Sequence, residues 1–244
     1  MSLAYKSVKD HFWSVKFIFE CGRKLELKSH TICKAAAMYH RFFKEAHLRD
    51  YDPYVIAAAC LFISGKSEDD RAQIRDVINV TRDTLEPGCD LLNLGEEYFS
   101  YRETITNAEL LVLRMLKFDM TYHLPHRYLL HYLLSLELWA KTPEWKKDMP
   151  FERSCWAFLH DFHFSPAIVT YKPQLIAISI IFYALQCYGL QIPTEDVQWY
   201  EALHPEATVT QLFTIMDSLL EVYDNDKELS QDVQSSLQAK VPGF

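Results

Sequence analysis

The sequence contains one segment that occurs twice, since residues 51–66 recur in modified form as residues 171–186. Each copy has a proline near its start, where a helix tolerates the missing N–H, and then an apolar run rich in small residues. Such a run is too short to span a membrane and suits a helix buried on most sides. The identical positions are Tyr51/Tyr171, Pro53/Pro173, Ile56/Ile176, Ala57/Ala177 and Phe62/Phe182. A repeat at this spacing predicts two copies of a whole domain rather than a solenoid.

The composition favours helices in both halves of the chain. A length of 244 residues accommodates two units of about 100 residues each. Hydrophobic residues make up 49% of the sequence, with 15 Phe and 14 Tyr, so each half has material for a core. Glycine occurs only six times, and many runs are amphipathic. We therefore predict an all-α fold made of two five-helix bundles in tandem.

Apolar periodicity predicts five helices in the first half. They are expected at residues 9–25, 32–46, 53–66, 74–81 and 101–118. The triplet Ser29-His30-Thr31 is suited to cap the second of these helices. Between the fourth and fifth, Pro87-Gly88 and Gly95 indicate a loop within residues 81–100, for which a partner contact is the one role suggested.

The second half repeats this order. Helices are expected near residues 126–140, 151–164, 173–188, 194–202 and 208–223, with a loop over residues 141–150. After Tyr223 the sequence becomes polar and has few apolar anchors, which predicts a flexible tail over residues 224–244. The predicted domains are therefore residues 8–121 and 122–223, followed by the tail.

Charge and cysteine usage argue against several classes of protein. A net charge of −8 disfavours a nucleic-acid surface, and polybasic clusters typical of membrane-surface proteins are missing from the sequence. The start of the chain does not resemble a secretory signal. Six cysteines without a CxxC pair predict reduced core thiols in an intracellular protein, nuclear or cytoplasmic. Since glycine-rich phosphate loops and nucleophile triads are also missing from the sequence, we expect no catalytic residues, metal or cofactor.

Two segments resemble the cyclin family. Lys66, at the end of a Pro-started apolar helix and followed by Ser-Glu-Asp, resembles the cyclin Ala-Lys-aromatic-Glu-Glu signature. Residues 107–120 resemble the cyclin segment in which a Glu precedes Leu-Val-Leu and then Leu-x-Phe-Asp. The resemblance covers residues 9–223 and includes the tandem cyclin-box arrangement. It implies a non-catalytic regulatory subunit that binds a cyclin-dependent kinase as a heterodimer and activates it.

The resemblance also implies which side chains contact the kinase. In cyclins, one Lys and one Glu hydrogen-bond main-chain groups beside the mobile αC helix of the kinase, and by position these are Lys66 and Glu109, both expected to be exposed. Gln186 occupies the place of the lysine in the second copy. The surrounding groove is expected to be lined by Ile63, Leu113, Phe118 and Met120. Runs at residues 17–22, 51–54, 75–80 and 125–133 carry the likeness further and imply cyclin-dependent kinase ten as the partner.

The first helix departs from the family pattern. Many cyclins bind Arg-x-Leu substrate motifs on an apolar patch of this helix, where the present chain has Asp10 and Ser14. Because these groups prefer water, we expect such docking to be weak. The Arg–Asp pair that usually joins the first two helices is replaced by His11 and His40, which cannot form the same ion pair.

Two other functions fit parts of the sequence. A cyclin-box adaptor for promoter DNA or a basal transcription factor has the same repeat, although such adaptors usually present basic surfaces. An all-α metal phosphohydrolase is suggested by the adjacent His160 and Asp161, with His131 and Asp217 as candidates to complete the metal shell. Three phenylalanines surround the His-Asp pair, which favours packing over metal binding.

Overall fold

A computed structural model of the chain describes residues 8–139, 150–194 and 197–239. These residues form helices and no strands. The first unit, Met1–Leu124, and the second, Pro125–Phe244, are each compact. The helices are α1 Val8–Lys24, α2 Ser29–Glu45, α3 Pro53–Ser67, α4 Ile74–Leu85, α5 Glu96–Met115, α6 His126–Trp139, α7 Phe151–Phe162, α8 Pro173–Tyr188, α9 Trp199–Leu203 and α10 Val209–Ala239, with a short 3₁₀ helix at Pro166–Val169.

Helix α3 lies at the centre of the first unit. It packs against α1, α2, α4 and α5, and every residue from Ile56 to Gly65 is buried. Three consecutive alanines, 57–59, let the neighbouring helices approach closely. The Asp52 carboxylate caps the helix by accepting hydrogen bonds from the N–H groups of Tyr54 (2.8 Å) and Val55 (3.3 Å).

Helix α8 has the same place in the second unit. It also begins at a proline, packs against α6, α7 and α10, and is buried continuously from Leu175 to Ile181. Gly189 ends it in the left-handed conformation, φ 65°, that glycine adopts without strain. The prediction of an all-α tandem, with the repeated segment as the buried helix of each half, is confirmed.

Several predicted helix ends differ from the structure. Helix α2 begins at Ser29, with Lys28 in the cap position, so the predicted Ser29-His30-Thr31 cap is wrong. The hydroxyl of Thr31 instead donates to the Asp70 carboxylate at 2.9 Å, which also accepts the N–H of Lys28 at 2.8 Å. The beginning of α2 is therefore held by Asp70, which lies 39 residues after Thr31 in the sequence.

The loop predicted at residues 81–100 is shorter in the structure, because α4 continues to Leu85 and α5 begins at Glu96. The predicted helix at 194–202 is confined to Trp199–Leu203, with residues 195 and 196 outside the described part.

Two further expectations concern the end of the chain and the loop after α6. Helix α10 runs past Tyr223 to Ala239, which is consistent with the absence of Pro and Gly from the sequence between those residues. The flexibility proposed for residues 224–244 stays a prediction. Most of the loop predicted at residues 141–150 lies outside the described residues.

Most cysteines lie inside the two units. Cys21, Cys33, Cys60 and Cys155 are buried, Cys187 is exposed, and none of these five thiols forms a disulfide within the described residues. Burial raises the pKa of the Cys21 and Cys155 thiols to about 12, so both stay protonated at neutral pH. Among the described residues, we find no helix with the length and apolarity needed to cross a membrane.

The close approach at Gly65 predicts a selective loss of stability. A Cβ atom at this position lies 2.3 Å from the Cβ of Ala72, a contact that requires backbone movement. We expect Gly65→Ala to lower the free energy of unfolding by about 1–3 kcal/mol, measured by urea denaturation. Gly95→Ala is the matched control, because its nearest neighbour, the Asn93 carbonyl oxygen, lies 4.0 Å away. An equal loss in both variants contradicts this explanation.

Candidate functional site

The two residues expected to contact a kinase are brought together in the structure. Lys66, in the last turn of α3, forms an ion pair with Glu109 in the middle of α5. The Lys66 Nζ also lies 4.4 Å from the centre of the Phe62 ring, a cation–π contact. The packing of α3 against α5 therefore places both charged groups at one point on the first unit.

The two side chains differ in exposure. The Lys66 side chain is 49% exposed, whereas that of Glu109 is only 11% exposed. The expectation that both are exposed is thus correct for Lys66 and wrong for Glu109. A carboxylate so far removed from water requires a cationic or hydrogen-bonding partner, and Lys66 provides it.

The paired groups retain hydrogen-bonding capacity. An ammonium has three N–H donors and a carboxylate has two oxygens with several acceptor positions. One donor and one oxygen meet in the Lys66–Glu109 contact. The remaining donors and acceptors suit a main-chain segment, which offers both carbonyl and N–H groups.

The segment after α5 places an aromatic ring at the surface. Lys117 and Phe118 have φ values of 54° and 56°, a left-handed conformation that costs a non-glycine residue about 1 kcal/mol or more. The Phe118 N–H donates to the Leu113 carbonyl at 2.8 Å, which closes the turn. Leu116 is buried while Phe118 is 63% exposed, so the turn directs the chain from the core towards solvent.

Arg41 of α2 holds this segment in place. Its guanidinium donates to the Asp119 carboxylate at 3.0 Å and to the Asp119 carbonyl at 3.1 Å. The Thr121 N–H donates to the same carboxylate at 3.0 Å, and these hydrogen bonds with the Arg41 charge hold the pKa of Asp119 below its ordinary value. Sequence reasoning missed Arg41, because 78 residues separate it from Asp119 and no motif links them.

The other predicted groove residues are placed unequally. Ile63 is only 3% exposed, so the expectation that it lines the groove is wrong; it supports the site from inside the core. Leu113 and Met120 are half-buried and Phe118 is exposed, so these three can offer apolar surface. The inward position of Ile63 follows from α3 being surrounded by its neighbours at this level.

The first helix does not match the expectation for Ser14. This residue is buried and hydrogen-bonded to Tyr39, so it belongs to the core rather than to an exposed docking surface. Trp13 is exposed, with the Lys16 Nζ 5.0 Å from the centre of its ring. The side chain of Asp10 lies outside the described part of the chain.

His11 and His40 meet in the core beside Tyr39. The two histidine rings pack edge to face with centroids 5.8 Å apart, and His11 Nδ1 lies 3.1 Å from the Tyr39 hydroxyl. In place of the usual Arg–Asp pair, the first two helices are therefore joined by a buried contact between the rings of His11 and His40 and by a hydrogen bond between His11 and Tyr39.

The residues proposed for a phosphohydrolase do not form a site. The Tyr223 hydroxyl donates to the Asp161 carboxylate at 2.9 Å, and burial raises the pKa of Asp161 while it lowers that of His160. His131 and Asp217 are exposed. Within the described residues, these four do not gather at ligand distance. The Asp161–Tyr223 contact instead joins α7 to α10.

Comparison with known proteins finds similarity to cyclins. Residues 11–121 match the family described as cyclin, N-terminal domain. Cyclin-K of Danio rerio is 25% identical over 218 residues, which are 87% of this chain and 49% of that protein. Cyclin pch1 of Schizosaccharomyces pombe is 25% identical over 236 residues, 93% of this chain and 67% of that protein. The chain thus spans about half of the cyclin-K relative.

Solved structures share the fold. The yeast RNA Pol II CTD kinase CTDK-1 complex contains a chain with a TM-score of 0.70 and 14% identity, covering 91% of this chain and 67% of that one. The yeast TFIIK (Kin28/Ccl1/Tfb3) complex contains another, with a TM-score of 0.61 and 16% identity over 87% of this chain and 86% of that one. At these identities the likeness concerns the fold. The likeness in sequence to the cyclin N-terminal domain covers residues 11–121.

The contacts of Arg41 predict a local effect on dynamics. Removing the guanidinium in Arg41→Ala frees the Asp119 segment, so we expect amide hydrogen exchange at residues 117–121 to accelerate about two- to fivefold. Arg23→Ala, an exposed basic residue on α1, is the control and should leave these rates unchanged. Unchanged exchange in Arg41→Ala would show that the turn is held by other contacts.

Proposed function

We propose that this chain is a regulatory subunit that binds a cyclin-dependent kinase and raises its activity. The observation that carries the proposal is the Lys66–Glu109 pair, in which two helices of a cyclin N-terminal domain present a donor-rich and an acceptor-rich group at one point. Exposed Phe118 and half-buried Leu113 and Met120 supply apolar surface from the same unit. A polar pair with apolar groups in its unit suits a protein interface.

The proposed mechanism is stabilisation of the active kinase conformation. A protein kinase is active when its αC helix is turned inward, so that its Glu pairs with the phosphate-binding Lys. A partner that binds this conformation more tightly shifts the equilibrium towards it. Lys66 and Glu109 would bind main-chain groups beside αC, so that recognition depends little on kinase side chains.

The partner we propose is cyclin-dependent kinase ten. The runs at residues 17–22, 51–54, 75–80 and 125–133 resemble cyclin Q, and that likeness implies this kinase. The relatives cyclin-K and cyclin pch1, and the likeness to a chain of an RNA Pol II CTD kinase complex, support a role in transcription and a nuclear location. A cell-cycle role is the other process suggested by the family.

An adaptor for the transcription machinery is the second candidate. The tandem fold favours this function, because the Lys66–Glu109 pair lies in the first unit and leaves the second unit without an assigned role. The net charge of −8 disfavours direct contact with DNA, because phosphate binding relies on Lys and Arg. We therefore place this function second.

The proposed function predicts an effect on kinase activity. The purified chain should have no kinase or phosphohydrolase activity alone, and adding it to cyclin-dependent kinase ten should increase phosphate transfer to a peptide substrate. The measurement is phosphate incorporation with and without the chain, with an unrelated kinase as control. Metal-dependent phosphohydrolase activity that disappears in His160→Ala would overturn the proposal.

The Lys66–Glu109 ion pair is expected to contribute to kinase binding. Lys66→Ala and Glu109→Ala should each weaken kinase binding by about 2–5 kcal/mol, because truncation leaves the partner group desolvated and unpaired. Calorimetric titration measures the loss. Gln186→Ala, an exposed position of α8 that corresponds to Lys66, is the matched control and should bind normally.

Folding must be separated from binding in this experiment. Lys66→Ala leaves the buried Glu109 carboxylate without its cation, so circular dichroism melting accompanies each titration. The double variant Lys66→Met/Glu109→Gln removes both charges and retains similar shapes; it should fold and bind weakly. If Gln186→Ala loses as much kinase-binding affinity as Lys66→Ala and Glu109→Ala, the kinase contact is not confined to the first unit.

A further inference from the structure

The loop between α4 and α5 displays large apolar side chains although the loop itself is anchored. Leu91 is 77% exposed and Leu94 is 65% exposed, and Leu85 and Phe99 on the flanking helices are more than half exposed. Single exposed apolar residues are ordinary on a protein surface. Four of them within residues 85–99 form a concentration that marks a site of interaction.

Three contacts anchor the loop to α4. Leu92, between the exposed leucines, is buried in a cluster with Val77 and Ile78. Its N–H donates to the Asn79 side-chain oxygen at 3.1 Å, and the Arg82 guanidinium donates to the Asp90 carbonyl at 3.1 Å. The anchored conformation therefore keeps Leu92 inside while its neighbours Leu91 and Leu94 face water.

The same stretch is acidic. Residues 82–103 contain six acidic and two basic side chains, a net charge of −4. Lys24 pairs with Asp83 at 2.9 Å and Arg82 pairs with Glu97 at 3.5 Å. Within the described part of the chain, the carboxylates of Glu86, Asp90 and Glu96 form no ion pair. Negative charge beside the exposed leucines thus remains available to a partner.

These observations select the chemistry of the partner. An anionic membrane or a nucleic acid is repelled by this charge. A second copy of the chain meeting the same face is repelled as well, because a two-fold contact brings like charges together. We infer that the α4–α5 loop is a docking surface for a basic protein segment whose lysines or arginines flank apolar side chains.

A direct binding measurement tests this inference on the full chain without a kinase. The probe is a short fluorescent peptide with lysines on both sides of two leucines, followed by fluorescence anisotropy. Saturable binding that weakens from low to high salt is expected, since exposed charge pairs are screened. Peptides with glutamate for lysine, or with serine for leucine, should bind at least about tenfold more weakly.

Variants locate the contact. Leu91→Ser/Leu94→Ser should lower the affinity at least about tenfold. Glu86→Gln/Asp90→Asn/Glu96→Gln should lower it about fivefold and reduce the salt dependence. The matched control is Leu130→Ser/Leu134→Ser, which alters exposed leucines of the second unit, 49% and 51% exposed, and should change nothing.

Other outcomes overturn the inference. Failure to bind the lysine–leucine peptide does so, as does equal loss in the Leu130/Leu134 control. Concentration-dependent self-association in sedimentation that is lost in Leu91→Ser/Leu94→Ser would show a second copy on this face. Binding to vesicles of anionic lipid that requires the same leucines would assign the face to a membrane.

Discussion

The neighbouring helices can pack around α3 only because α3 has small side chains at the points where these helices approach it. Ala57, Ala58 and Ala59 leave room for neighbours on several sides, and Gly65 lets the chain pass within contact of Ala72 near its end. A helix surrounded in this way has no polar face, so its neighbours must supply the surface of the unit. The charged end of α3 is then the point at which the buried helix reaches water, and Lys66 occupies it.

The position of the candidate site follows from this packing. Glu109 lies on α5 at the level of Lys66, and its burial is tolerated because the ammonium of Lys66 contacts it. The turn after α5 is fixed from a third helix, through Arg41. Rigid helices thus hold the charged pair, and a strained turn clamped by α2 presents the aromatic ring.

The sequence predicted the fold better than the details of the site. The ends of α3 and α8 were predictable because proline marks the beginning of each and the apolar run defines the length. The extension of α4 was missed because threonine disfavours helices, whereas Thr84 satisfies its hydroxyl on the Val80 carbonyl at 2.7 Å. The earlier start of α5 had a signal in Glu96 and Glu97, which suit the positive end of a helix dipole.

Contacts between residues that are far apart in the sequence could not be predicted from it. The burial of Glu109, the inward position of Ile63 and the Arg41–Asp119 clamp each depend on helices that meet only after folding. Periodicity assigns a residue to a face of its own helix but does not say what covers that face. The likeness to a family supplied the roles of Lys66 and Glu109, which residue patterns alone did not.

The uneven distribution of thiols has a practical consequence for studying the two units. Cys60 is completely buried in the first unit and Cys155 in the second, while Cys187 is exposed. Once the exposed thiol is blocked, alkylation of a buried cysteine requires its unit to open. The rates at Cys60 and Cys155 therefore report the opening of each half separately within one molecule, and reveal whether the halves unfold together or in sequence.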